Sequence, residues 1–279
     1  MLGRDEESNG KWQMNKEFMT KDKLARMEKS YFVEGIQGAG KTTMVAKLAK
    51  EKPSYNVYRE GDYCPIELAW CAFLEEEQYL QVLEKYKDIA DLIREKTIQE
   101  DDKKVVMYTR ILTDIPGFHK DLERYEIYNG NKNREEFQDI VLKRFSDWNG
   151  QNSIFECALF QNIIENMILF FEMSDDEIVA FYQRVKDGLQ GKSYEIVYLH
   201  VNDVRKAEEI IRKERSDDQG NELWFPMMVA YLENSPYGIR KNLKGMDGLV
   251  THLEHRVALE LRILQEVFPE NHTLVERTV

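Results

Sequence analysis

The stretch YFVEGIQGAGKTT, Tyr31 to Thr43, decides how the rest of the chain is read. Its opening, Tyr31-Phe32-Val33, has the composition of a buried strand. Glycines at 35, 38 and 40 then let the backbone curl. Gly35-Ile36-Gln37-Gly38-Ala39-Gly40-Lys41-Thr42 fits G-x-x-x-x-G-K-[ST]. In such a loop several N–H groups turn inward on phosphate oxygens, the lysine puts a point charge on the β and γ phosphates, and the Thr hydroxyl faces Mg²⁺. The helix expected over TTMVAKLAK (42–50) aims the positive end of its dipole at the same anion. The expectation is a phosphate cradle built from Gly35, Gln37, Gly38, Ala39, Gly40, Lys41, Thr42 and Thr43, with ATP and Mg²⁺ as ligands.

Working outward, the 279 residues suffice for one large α/β domain. A formal net charge of −12 argues against non-specific binding to nucleic acid or an anionic membrane. No apolar run approaches a bilayer span. The opening MLGRDEESNGKWQMNKEF has no apolar stretch after a basic start, so no signal peptide is expected. Cys64, Cys71 and Cys157 are scattered, with neither disulfide nor metal-type spacing, and the expected compartment is the cytoplasm. Residues 1–29 alternate charged and polar groups and read as an extension, mobile or helical, outside a domain spanning 30–279.

Within that domain, apolar runs alternate with helical periodicities. YNVYRE (55–60) reads as a second strand, and Pro65 to Lys96 as one helix with apolar residues three and four apart. Residues 97–130 are ambiguous: KVVMYTRI suits strand or helix, and IPGFH suits a turn. Helices are expected over 133–145, 176–190, 204–215 and 250–268, and strands at the start of NSIFECALF (152–160), over YEIVYLHV (194–201) and over 272–279. Strands alternating with helices predict a mainly parallel α/β sheet flanked by helices.

The quoted stretch resembles the opening of thymidylate kinases and the related deoxynucleoside kinases, where an apolar strand leads to E-G and G-A-G-K-[ST]-T. YREGDYCPIE (58–67) is similar to the R-E-P-G-G-T-P segment of thymidylate kinases. IFECALFQ (154–161) lies where the family has D-R-Y or E-R-S, and RKAEEIIRKERSDD looks like its arginine-bearing lid helix. The resemblance covers about 31–62 and 152–218. It implies a P-loop NTPase-type sheet with a helical lid around 204–225 and extra helical insertions, an ATP-dependent phosphotransferase, a small-molecule acceptor and a homodimer. Two departures stand out: Gln37 replaces the usual acid in the loop, and Cys157 replaces the arginine after Glu156.

Phosphoryl transfer needs positioning and charge neutralisation more than covalent chemistry. Lys41 and the loop amides would hold the donor, and Thr42 with Glu156, at the end of an apolar strand, the metal. Glu60 is the first choice for the base by resemblance, and Asp62 the alternative; both follow the second strand, where open parallel sheets bind ligands. Arg212 and Arg215, three apart on one helix face, would stabilise charge on the transferring group. Arg59 reads as an acceptor contact or, like Arg110, a structural ion-pair residue. Trp70, Phe73, Phe160 and Gln161 suit a ring pocket, although at helical spacing Trp70 and Phe73 read more readily as core than as pocket. His252 and His255 form no convincing ligand pair. The missing arginine at 157 favours a hydroxyl acceptor, nucleoside-like or another small molecule. The alternatives are a nucleoside monophosphate kinase and an ATPase or switch acting through a protein partner.

Overall fold

The computed structural model describes residues 29–217, 219–222 and 224–277. The expected extension, Lys29 apart, and the last two residues of the expected final strand lie outside these. Along the chain, β1 (Ser30–Glu34) leads through the glycine loop into α1 (Lys41–Glu51), and β2 (Asn56–Tyr58) follows. An inserted stretch folds as β3 (Ala72–Glu75), α2 (Glu76–Lys85), α3 (Ala90–Glu95), β4 (Thr97–Glu100), β5 (Lys103–Val106) and α4 (Phe118–Glu123). Then come α5 (Arg134–Asp147), β6 (Ser153–Glu156), α6 (Gln161–Leu169), α7 (Asp175–Gly188) and β7 (Tyr194–Val201). The chain continues as α8 (Val204–Glu214), α9 (Trp224–Asn234), α10 (Pro236–Lys241), α11 (Gly245–Glu266) and β8 (His272–Arg277).

Five strands form a parallel sheet in the order β2-β6-β1-β7-β8. The central strands are apolar because both faces are covered: Phe32, Val33, Ile154, Phe155 and Ile196 are fully buried or nearly so. Phe32 stacks on Phe155 with ring centroids 5.1 Å apart, and Trp148 meets both edge-on. β1 sits centrally; its connection runs to β2 on one side, while that of β7 runs to β8 on the other. The carboxyl ends of these two strands are therefore a topological switch point, the place where open parallel sheets bind ligands, and the glycine loop lies there. Helix starts follow local chemistry: the side chains of Asn133, Ser174 and Asp203 accept N–H groups at the first turns of α5, α7 and α8.

The long helix expected from Pro65 is not formed. Residues 65–71 are turns and bends, Ala72–Glu75 is a strand, and helix resumes only at Glu76 and again at Ala90. Ala72 and Leu74 point inward with period two, a pattern masked by the apolar spacing around it, and β5 supplies the antiparallel ladder. The ambiguous KVVMYTRI resolves as β5 followed by a 3₁₀ turn over Tyr108–Arg110. IPGFH is a turn in which Gly117 adopts a left-handed φ of 81° before α4. The insertion packs its own apolar core, including Leu74, Ile93, Val106, Phe118 and Leu122, beside the larger one around the sheet. Arg144 of α5, buried, ties the two parts together by pairing with Glu100 and donating to the Cys64 carbonyl.

Candidate phosphate-binding site

The loop after β1 is shaped by three glycines with positive φ, at 35, 38 and 40. Gly35 and Gly40 are also close approaches, whereas a side chain at Gly38 would make ordinary contact. A β-carbon on Gly35 would lie 2.6 Å from the Leu199 carbonyl oxygen of β7, and one on Gly38 3.5 Å from Ile211 of α8. Gly40 stands before α1 with no side-chain cap. The first bond of that turn runs from the Met44 N–H to the Gly40 carbonyl at 3.1 Å. The N–H groups of Gly38, Gly40, Lys41, Thr42 and Thr43 have no acceptor among the described residues. These are orphan donors clustered in one short loop, at the positive end of an 11-residue helix. The donor set fits a phosphate group. Ala39 is buried beneath the loop and Thr43 is exposed on the first turn of α1.

Lys41 is folded back on the loop and donates to the carbonyls of Gly35 and Ile36, both at 2.8 Å. The Thr42 hydroxyl donates to Glu156 at 2.5 Å. The second oxygen of Glu156 lies 3.7 Å from the Arg59 guanidinium. Hydroxyl and carboxylate oxygens side by side are hard ligands of the kind Mg²⁺ takes. Cys157 follows with a left-handed φ of 60° and a buried thiol, which burial pushes well up.

Beside this lies a second cluster. Glu60 accepts from the Trp70 indole N–H and from the Gln161 amide, both at 3.1 Å. The structure thus brings together three expected residues from three separate segments. Trp70 is not core: it is 45% exposed and sits at φ 64°, a conformation costing a non-glycine residue about 1–3 kcal/mol. Asp62 is occupied by Arg110 at 2.8 Å, and Arg110 also donates to the carbonyls of Glu60 and Gly61. Arg110 thereby braces the turn that presents Glu60. Phe160 belongs to the core, against Tyr182 and Tyr198, and Phe73 to β3, so neither joins the cluster.

Glu34, at the end of β1, shapes the same region from below. Its carboxyl accepts the N–H groups of Leu159 and Phe160 at 2.8 and 3.3 Å, which fixes the turn delivering Gln161. Burial pushes it up to about 8 despite those bonds.

The arginines expected to form a lid lie at the end of α8, whose face touches Gly38, with Arg212 in its last turn and Arg215 just past it, and both are engaged by Glu222 and the start of α9. Arg212 pairs with Glu222 at 2.7 Å and lies over Phe225, and Arg215 lies over Trp224. The Arg212 pair is about a third exposed on each side, and such pairs are worth about 0–1 kcal/mol, so a phosphate can compete for it.

Sequence reasoning missed the charged network under the loop. Arg256 of α11, fully buried, donates to the Gln37 side chain at 3.3 Å, pairs with Glu165, and lies 3.1 Å from Glu260. Buried His252 meets Glu165 at 2.6 Å, and the Tyr198 hydroxyl donates to Glu260 at 2.6 Å. His252 is therefore interior, while His255 bonds Asp175. Burial would raise Glu165, yet His252 and Arg256 hold it down at about 2. Glu208 of α8 is also buried, with both oxygens unpartnered among the described residues; burial raises it to about 7 against Arg256, Arg215 and Lys41. The spacing His252, Arg256, Glu260, every fourth residue on one helix face, was the available signal.

An open groove of about 420 Å³, lined by Lys85, Tyr86, Asp121 and neighbours, lies on the insertion and includes no residue of these clusters. Among the described residues no group of His, Cys, Asp and Glu stands ready to hold a metal, and no helix is long and apolar enough to cross a membrane. Compared with protein-family models and with curated proteins, the chain matches none.

Proposed function

We propose that this chain is an ATP- and Mg²⁺-dependent phosphotransferase of the P-loop kinase type. It moves the γ-phosphoryl group to a hydroxyl of a nucleoside-like or other small ring-bearing molecule. The observation that carries the reading is the ring of unpartnered amides at Gly38 and Gly40–Thr43, with Lys41 and the Thr42–Glu156 pair beside it. Counting only the parallel strands, the order is second, third, first, fourth, fifth, with the loop on the central strand; this arrangement supports the fold type.

ATP·Mg²⁺, when bound, supplies the phosphoryl group and part of the charge neutralisation. The loop amides and Lys41 hold the phosphates, Lys41 exchanging its two carbonyl partners for phosphate oxygen. Thr42 and Glu156 offer oxygens to the metal. Glu60, oriented by Gln161 and Trp70, takes the proton of the acceptor hydroxyl as its oxygen bonds to phosphorus and the bond to the ADP oxygen breaks. The exposed indole face of Trp70 offers stacking for an acceptor ring. Arg212 and Arg215 reach charge on the transferring group by leaving Glu222 and Trp224.

A hydroxyl acceptor is preferred to a monophosphate because, Arg59 apart, the cation beside Glu60 is committed. Arg110 is bound to Asp62 and two carbonyls, and position 157 carries a thiol. The insertion's separate core is the feature that favours the other reading, an ATPase or switch with a protein partner.

The test is ADP release by the pure protein with Mg²⁺ and ATP, against panels of nucleosides, nucleoside monophosphates and aminocyclitols. Release stimulated by a hydroxyl compound, with its phosphate ester found by mass spectrometry, supports the proposal. Release indifferent to every small molecule and raised only by a protein partner overturns it.

A further inference from the structure

The loop has a cationic neighbour that the reading above does not use. Arg277 ends the described part of β8, the edge strand, opposite Val201 of β7. Its guanidinium reaches across to the loop and lies on Gly40. A β-carbon placed there would stand 2.9 Å from Nη2, 3.3 Å from Cζ and 3.6 Å from Nε. Gly40, at φ 92°, thus serves both the left-handed turn and this approach.

Every other described arginine meets a carboxylate, an amide oxygen, a hydroxyl or an aromatic ring. Arg277 meets none of these among the described residues, in a chain with 51 acids to 39 basic residues. The neighbouring residue Glu276 is engaged by His200 at 3.0 Å and does not neutralise it. An unpaired guanidinium one residue from Lys41, beside amides that also lack acceptors, is a set of donors without an anion.

We infer that Arg277 is a phosphate-binding residue of the donor site: from the β8 side it grips a phosphate of a nucleoside polyphosphate, next to the one enclosed by the loop amides. The inference rests on the proposed nucleotide site and adds to it a contact that the loop motif does not contain. A planar fork suits two oxygens of one phosphate group, which a lysine would contact as a point charge only.

The experiment is calorimetric titration of the full-length protein with Mg²⁺·ATP and, separately, with inorganic tripolyphosphate, for wild type, Arg277→Ala, Arg277→Lys and Lys41→Ala. Arg277→Ala is expected to weaken both ligands by about tenfold or more, the scale of a lost charged hydrogen bond, and Arg277→Lys by less. The unliganded melting temperature should stay at the wild-type value, since the side chain is exposed. ATP binding by Arg277→Ala within about twofold of wild type overturns the inference. So does weakened ATP binding with tripolyphosphate unaffected, which would assign the contact to base or sugar. Wild-type protein that binds neither ligand, or Lys41→Ala that binds both normally, refutes the underlying nucleotide reading instead, and is seen in those arms alone.

Discussion

Replacing Arg256 by methionine keeps most of the side-chain volume and removes the only cation seated between Glu165 and Glu260 among the described residues. Both acids are buried, and Glu165 is held at about 2 against an ordinary 4.5, His252 and Arg256 overcoming the burial that raises it. That depression, converted at 1.36 kcal/mol per pKa unit, corresponds to about 3 kcal/mol at neutral pH. Stripping one partner from a buried ion pair costs about 3–5 kcal/mol, a range that includes the same figure. For a chain of this size the melting temperature should drop by roughly 10 °C. The sign with pH is fixed by the direction of the shift. Wild-type Glu165, depressed, contributes stability above pH 4.5 that is lost as pH falls toward about 2. Without Arg256, burial acts less opposed and raises its folded value, so the variant gains stability as pH falls from 7 to 4.5 while the wild-type contribution is flat there. Urea unfolding of both proteins at pH 7 and pH 4.5 should show a large gap that narrows on acidification. A gap below about 1 kcal/mol at pH 7, or one unchanged at pH 4.5, refutes the reasoning about this network.

Three further outcomes are expected. Glu60→Gln should keep ATP binding while acceptor-dependent turnover falls by about 10²–10⁴, and turnover at the wild-type rate would remove Glu60 as the base. Gly35→Ala places a β-carbon against the Leu199 backbone, whereas Gly117→Ala, also at positive φ, meets open space. Denaturant unfolding should show the first losing about 2–5 kcal/mol and the second about 1, and equal losses would contradict the packing of the loop on β7. Burial raises Glu34 and Glu67 to about 8 and Glu126 and Glu208 to about 7. Acids raised on folding lose stability as pH climbs from their unfolded value through those figures, so thermal unfolding should occur at a higher temperature at pH 5 than at pH 8.

The elements legible in the sequence are those whose periodicity is undisturbed. YEIVYLHV is β7 from end to end, because a strand buried on both faces reads as continuous apolar residues. The glycine loop was legible because its glycines answer local demands, positive φ and close approach. β3 was hidden because its short alternation lies inside a run that also satisfies helical spacing, and only pairing with β5 settles it. The same contrast holds in the site. Glu60, Trp70 and Gln161 could be nominated by residue type and place along the chain. The left-handed turn that exposes Trp70 against Glu60 depends on the insertion behind it, where Thr109 donates to the Trp70 carbonyl. Arg256 and Glu165 are 91 positions apart, and a buried arginine looks in sequence like any helical arginine. Gln37, a departure from the resembling family's loop, gains a physical account there: its side chain accepts from a guanidinium already facing two acids.

The central claim is that the cradle serves transfer to an organic hydroxyl and not hydrolysis. A single-turnover experiment measures this directly: excess enzyme, Mg²⁺ and ATP labelled in the γ-phosphoryl group, with the acceptor panel, resolved by chromatography. The account predicts that the label moves into an organic phosphate ester when the matching hydroxyl compound is present, and stays in ATP when it is absent. Label appearing only as inorganic phosphate, at one rate with or without every acceptor, would contradict it.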